Sequence, residues 1–409
     1  MPRGGEILPD REPARRIALR GRVVTDYEVW SEGTVLIEGG AIREVSREPL
    51  DPGEGGEVRD CGDSLLVPGF VDLQVNGAFG VDVASSPERI DELSRRLLAT
   101  GTTSYVPTVI SSPESLYEET LPVLAEKVAR RGGMAEPLGI HLEGPFINLK
   151  RRGAHAAAHI VPPDPSLFAR LLELGPIRMV TLAPELEGAR KLIEMARRYG
   201  VVVSAGHSDA SFEEAYEALD AGVLALTHLF NTMSRMHHRE PGLPGAAFAH
   251  PLAVCGLISD GIHIHPEMVA LAFRMLGPDR ICLVTDSTAA TGMGPGEYAL
   301  ATRRIYRETN VTRLGSGALA GSLLTMEEAF QNILAFTGCT LPEAARMAST
   351  APARLIGEGR RKGRLAPGYD ADITVLRPDL SVEAVWKGGE LSYADRTGKS
   401  LGNGGGEGF

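Results

Sequence analysis

Eight short apolar runs, most of them followed by a stretch with helical spacing, dominate the middle of this chain and leave few folds open to it. The runs are LLVPGFVDLQV (65–75), TTSYVPTVI (102–110), PLGIHLEG (137–144), IRMVTLAP (177–184), VVVSAGHS (201–208), ALTHLF (225–230), VCGLISDG (254–261) and ICLVTDS (281–287). Strands that read as continuous apolar runs are buried on both faces, as in a parallel sheet covered by helices. Between them, SPERIDELSRRLLATG (86–101), LEGARKLIEMARRYG (186–200) and SFEEAYEALDAG (211–222) space their apolar residues as a helix does and close on glycine. Eight βα units over residues 66–354 predict an α/β fold, a (β/α)8 barrel of the TIM type, whose usual size is about 250 residues.

The two ends read differently. RIALRGRVVT and GTVLIEGGAIREV near the start, and ADITVLRP and VEAVWKGGEL near the finish, are short alternating segments, with Gly39–Gly40 as a hairpin turn. A small β-domain assembled from residues 16–65 plus 355–395 is therefore expected beside the barrel. Residues 1–15 and 396–409 are rich in polar residues and glycine and are expected to be disordered tails.

At 409 residues and 43% hydrophobic, the chain can bury the cores of one large and one smaller unit. Its net charge of -11 offers no basic surface for nucleic acid or an anionic membrane. No apolar run approaches the roughly 20 residues of a membrane span. Cys61, Cys255, Cys282 and Cys339 lie far apart, and no leader-like segment opens the chain, so a reduced, cytoplasmic setting is expected.

Barrel enzymes place their chemistry at the C-terminal ends of the strands. Here those ends carry Gln74 and Asn76 on strand 1, Glu143 on strand 3, His207 on strand 5 and His228 on strand 6, then Asp260 and His263 after strand 7 and Asp286 on strand 8. A lone strand-end histidine is more often a hydrogen-bonded core residue than a ligand. A buried glutamate is rarer, because an unpaired buried carboxylate is costly. Taken together, Glu143, His207 and His228 form a two-histidine, one-carboxylate set that suits one divalent metal with a fourth position open. Zn²⁺ is the first expectation, with Fe²⁺, Co²⁺ or Mn²⁺ as alternatives. Asp286 has a bland reading as a helix N-cap, but in this company it reads as a general base and acid.

Seven motifs occur in order: HLEGPFI (141–147), AGHSDA (205–210), THLFNTM (227–233), REPG (239–242), DGIH (260–263), TDSTAATG (285–292) and LAGS (319–322). With them the chain resembles the N-acetylglucosamine-6-phosphate deacetylase family of the amidohydrolase superfamily, from VPGFVDLQVNG through GRLAPGYDADITVL (363–376). The resemblance implies a barrel with a small β-sandwich built from both chain ends, a homodimer, and release of acetate from N-acetylglucosamine 6-phosphate. It also implies metal ligands at Glu143, His207 and His228, an acid/base at Asp286, and substrate contacts at Ala154, His155, Asn231, Thr232, Arg239, His263, Leu319, Ala320 and Gly321. Arg239 and His263 would hold the phosphate.

Binuclear members of the superfamily usually keep a His-x-His pair on strand 1, where this chain has Gln74 and Asn76. Neutral amides are weak ligands for Zn²⁺ or Fe²⁺, so a vacated second-metal position and a mononuclear site are expected, with the amides turned to water or substrate. Three rivals stand beside this reading: a binuclear amidohydrolase, a deacetylase for the galactosamine epimer, and a non-catalytic sugar-phosphate sensor.

Overall fold

Gly69 divides the first apolar run between two sheets. Up to Pro68 the chain forms the strand Glu57–Pro68, which pairs with Arg16–Val24 and with Ile373–Leu376, whereas Phe70–Val75 opens the barrel. The boundary expected at residue 65 thus falls inside a strand. A Cβ at residue 69 would lie 2.2 Å from Thr103 Oγ1, so only glycine lets the backbone cross here. The computed structural model describes residues 16–128, 130 and 132–395, and the expected tails at 1–15 and 396–409 lie outside the described residues.

The barrel strands are β1 (Phe70–Val75), β2 (Thr102–Ile110), β3 (Ile140–Glu143), β4 (Ile177–Leu182), β5 (Val202–Ala205), β6 (Ala225–Leu226), β7 (Val254–Leu257) and β8 (Ile281–Leu283). Each pairs in parallel with the next in sequence, as the eight apolar runs predict. Just beyond β8 the ring closes on β1: Asp286 N–H donates to the Gln74 carbonyl at 2.9 Å, and Asn76 N–H to the Ser287 carbonyl at 3.0 Å. Strands β5 to β8 are shorter than their runs because there the chain leaves the sheet before the polar strand-end residues His207, His228, Asp260 and Asp286.

The covering helices bury one stripe each. Ile90–Leu97 buries Leu93, Ala189–Arg198 buries Leu192, and Phe212–Ala221 buries Leu219, each side chain worth roughly 2 kcal/mol. Ser211 and Glu214 cap the last of these helices reciprocally, and left-handed Gly222 ends it.

Strands from both chain ends form one seven-stranded mixed sheet. The Gly39–Gly40 turn joins Val29–Glu38 to Ala41–Ser46 with both glycines at positive φ, as a two-residue hairpin requires. Ile17, Val35, Ile37, Ile373 and Trp386 share a cluster, so the sheet wraps a core distinct from that of the barrel. A three-stranded antiparallel sheet after β8 (Gly296–Leu300, Arg303–Arg307, Thr312–Leu314) was not foreseen, since its strands are short and rich in charge.

A buried ion network ties the end sheet to the barrel. Glu136 accepts from Arg361 and Lys362 at 2.8 Å each and from Lys387 at 3.1 Å. Lys362 and Lys387 also reach Asp372, at 2.5 and 2.7 Å. Burial alone would raise the Glu136 carboxyl, but the Arg361 hydrogen bonds and the charges of Lys387 and Lys362 hold it well below the usual carboxylate range. Because the folded value is depressed, this stabilisation is present above the unfolded value of about 4.3 and is lost as the pH falls toward the folded one. Glu136→Gln is expected to lower the unfolding free energy by about 3 kcal/mol at about pH 7. In urea titrations the gap from wild type should narrow by about 1 kcal/mol at about pH 3.5, and a gap that widens instead would contradict the account.

Candidate active site

Glu143 ends β3, and His207 and His228 stand two residues beyond β5 and β6. All three are buried and converge on one point. Glu143 Oε1 lies 3.0 Å from His207 Nε2 and 3.0 Å from His228 Nε2, and the two Nε2 atoms are 3.1 Å apart. His207 Nδ1 is 2.8 Å from the Arg151 carbonyl, which can only accept, so the proton sits on Nδ1 and Nε2 turns its lone pair toward Glu143. A His207 lone pair facing a carboxylate at 3.0 Å is relieved by a cation between them, and the donor set fits a divalent metal. Burial would raise the Glu143 carboxyl, but the two adjacent imidazoles of His207 and His228 hold it well below its ordinary range.

Unusual backbone conformations gather at this end of the barrel, at Phe230 and Thr232 as well as at two ligands and the base. His207, His228 and Asp286 adopt positive φ values of 49°, 32° and 50°. For residues other than glycine this conformation costs on the order of 1–3 kcal/mol and clusters at functional sites. The loop over His207 is packed closely enough that a Cβ on Gly153, itself at φ 54°, would lie 2.8 Å from Thr232 Cγ2 and 3.3 Å from His207 Cε1. Arg151 and Asp209 anchor that loop by an ion pair at 2.6 Å.

The structure gives the strand-1 amides a partner that the sequence did not suggest. Gln74 Nε2 and Asn76 Nδ2 both donate to Asp286 Oδ1, at 3.1 and 2.7 Å, while Asn76 Oδ1 is buried with no protein partner among the described residues. Their donor groups therefore orient the acid/base candidate. Burial pushes Asp286 up to about 8, the charge of Glu143 adds to the rise, and His228 opposes it. A dication on the ligand set would pull Asp286 back down.

Other expected residues divide into those that gather here and those that do not. His155 is buried, its ring centroid 4.4 Å from that of His207, and its Nδ1 accepts from Ser111 N–H at 3.2 Å, which leaves the proton on Nε2. Asn231 Nδ2 donates to the carbonyls of His228 and Leu229, and Thr232 Oγ1 is buried with no protein partner among the described residues. Gly321 lies so close that a Cβ there would sit 2.9 Å from the Asp286 carbonyl oxygen, and the carbonyls of Gly321 and Ala320 accept from Thr312 Oγ1. Leu319 bridges Arg313 beside them, and Ala154 is half-buried in the loop over His207. His263 forms its own pair with Asp260 at 2.6 Å, while Arg239 stands exposed in the loop 235–240. Neither hydrogen-bonds to the ligand cluster among the described residues.

Sequence reading missed several supports. Glu185 accepts from Asn148 and Ser208, Arg303 of the extra sheet reaches the His155 carbonyl at 3.4 Å, and Asp72 accepts from Thr285. A charged residue inside an apolar strand was the available signal for Asp72.

Residues 65–392 match the model of the amidohydrolase family. The chain belongs to that family. It is 37% identical over 389 residues to the N-acetylglucosamine-6-phosphate deacetylase of Bos taurus, covering 92% of this chain and 93% of that protein. It is 35% identical to the N-acetylgalactosamine-6-phosphate deacetylase of Escherichia coli O157:H7, covering 91% of this chain and 98% of the relative. Among solved structures, a mutant N-acetyl-D-glucosamine-6-phosphate deacetylase of Mycobacterium smegmatis in complex with N-acetyl-D-glucosamine-6-phosphate superposes with a TM-score of 0.87 at 32% identity, covering 92% of this chain and 99% of that one. The family is metal-dependent, and this chain carries a His–Glu–His cluster to match. No helix among the described residues is long and apolar enough to cross a membrane.

Elemental analysis of the purified protein is expected to find one divalent metal per chain, falling to near zero in Glu143→Gln. Two tightly held metals per chain would contradict the reading of Gln74 and Asn76 as groups committed to Asp286.

Proposed function

We propose that this chain hydrolyses the amide of N-acetyl-D-glucosamine 6-phosphate, giving D-glucosamine 6-phosphate and acetate. The observation that carries the reading is the convergence of Glu143, His207 and His228 to within 3.1 Å of one another, with Asp286 held at the same barrel mouth by Gln74 and Asn76. A ligand set for one metal beside an oriented carboxylate supplies the two parts that amide hydrolysis by water needs. Deacetylase relatives that span over nine-tenths of the chain support the substrate class.

Bound by Glu143, His207 and His228, a divalent metal, Zn²⁺ by first preference, would supply the Lewis acidity that makes water a nucleophile near neutral pH. Asp286 takes the proton of the attacking water at Oδ2, because Gln74 and Asn76 occupy its Oδ1. The water oxygen bonds to the acetyl carbon, the C–N bond breaks, and Asp286 returns the proton to the departing sugar nitrogen. His155, with its proton on Nε2, donates to the carbonyl oxygen as negative charge develops there.

For the sugar phosphate the reading assigns the Thr232 hydroxyl, Asn231, His263 and the backbone at Ala154 and Leu319–Gly321. Arg239 meets the phosphate only when the loop 235–240 turns into a site, its own or that of a second protomer of a homodimer. The setting is a cytoplasmic one. The E. coli relative makes the C4 epimer the second substrate to try. Acetate release should therefore be measured on both epimeric 6-phosphates, with metal content determined on the same sample. Faster release from the gluco epimer supports the reading, and a metal-loaded protein that releases no acetate from either overturns it.

Asp286→Asn is expected to lower kcat by about 10³-fold while substrate binding persists, and retained turnover would remove Asp286 from the chemistry. Arg239→Ala is expected to raise KM for the phosphorylated substrate about tenfold and to leave any activity on unphosphorylated N-acetylglucosamine unchanged. Equal effects on the two substrates would refute phosphate binding by Arg239.

A further inference from the structure

Asp72 is buried on β1, two residues before Gln74, in a position the proposed reaction does not use. Its carboxylate accepts three hydrogen bonds: from Thr285 Oγ1 at 2.5 Å, from Thr285 N–H at 3.2 Å and from Gln74 N–H at 3.1 Å. The Thr285 hydroxyl in turn accepts from Ser287 N–H at 3.2 Å. Both residues flanking Asp286 are thus tied to Asp72, one directly and one through that hydroxyl. Between them Asp286 holds its left-handed φ of 50°, fixed further by its own N–H on the Gln74 carbonyl and by Ser322 N–H on its carbonyl.

We infer that Asp72 is a positioning residue of the reaction, which acts through Thr285 to keep the 285–287 segment in the conformation that presents the Asp286 carboxylate to the ligand cluster. The inference rests on the reading of Asp286 as acid and base. Asp72 is 1% exposed and its carboxylate is taken up by Thr285 and Gln74, so it offers substrate no surface to touch. Alternate positions on one strand therefore divide the work, with Asp72 holding the backbone before Asp286 while Gln74 and Asn76 hold its side chain.

The test uses the full-length, metal-loaded protein, with kcat expressed per bound metal. Asp72→Ala removes all three acceptor contacts. Thr285→Val keeps the shape of the side chain and removes only the hydroxyl, so it answers the question even if Asp72→Ala fails to fold. Each is expected to lower kcat roughly 10- to 100-fold, as a misplaced catalytic group does, with KM and metal content within about twofold of wild type. The double variant should be no worse than the poorer single, since both cut one path. Asp72→Asn, which keeps an acceptor for Thr285 N–H, should recover most of kcat. Wild-type kcat in Thr285→Val alongside an inactive Asp286→Asn would overturn the role of Asp72 and leave the acid/base reading standing. A loss seen only in KM or only in metal content would also overturn it. Turnover retained by Asp286→Asn would instead remove the reading on which this role rests.

Discussion

Two backbone hydrogen bonds, from Asp286 N–H to the Gln74 carbonyl and from Asn76 N–H to the Ser287 carbonyl, join the last barrel strand to the first. The regular part of β8 is only three residues long, so closure is made beyond it, by the same residues that carry the polar groups. Gln74 takes part twice, through its carbonyl and through its side-chain amide. Closing the ring and orienting Asp286 are one event. The order of strands that this closure fixes also decides that Glu143, His207 and His228, from the third, fifth and sixth strands, face one another across the barrel mouth.

Much of this was legible in the sequence because burial on both faces leaves a plain mark. All eight barrel strands fall within the apolar runs, and the Gly39–Gly40 turn pairs the strands it was expected to pair. The convergence of Glu143, His207 and His228 followed from residue type and position at strand ends. Other features left no such mark. Both halves of 65–75 are apolar, so the change of sheet at Gly69 is set by a close approach to Thr103 that no periodicity reveals. The positive φ values of His207, His228 and Asp286 were hidden because only glycine advertises that conformation in a sequence. Gln74 and Asn76 were noticed, yet their partner lies more than two hundred residues away. Arg239 carries the family motif but sits on an exposed loop, where sequence position alone fixes no contact.

The direction of those two amides has chemical weight. With their N–H groups turned to Asp286 the two amides offer it donors, and the lone pairs of Asn76 Oδ1 stay without a protein partner among the described residues. A cation is poorly served by donors, whereas a carboxylate is well served by them. The strand-1 position thus favours negative charge on Asp286 at short range, while burial and Glu143 oppose it. A base that must also act as an acid works best when such influences nearly balance.

The sheet drawn from both chain ends sets a timetable for the making of the molecule. Pro68 pairs with Ile373 across about 300 residues of chain. At a ribosomal pace of about 5–20 residues per second, the strand Glu57–Pro68 emerges on the order of 15–60 s before the neighbour it needs. The entire barrel is synthesised in that interval. The N-terminal strands of this sheet leave the ribosome long before Ile373–Leu376, so the edge that strand will cover stays open to other nascent chains while the barrel is made.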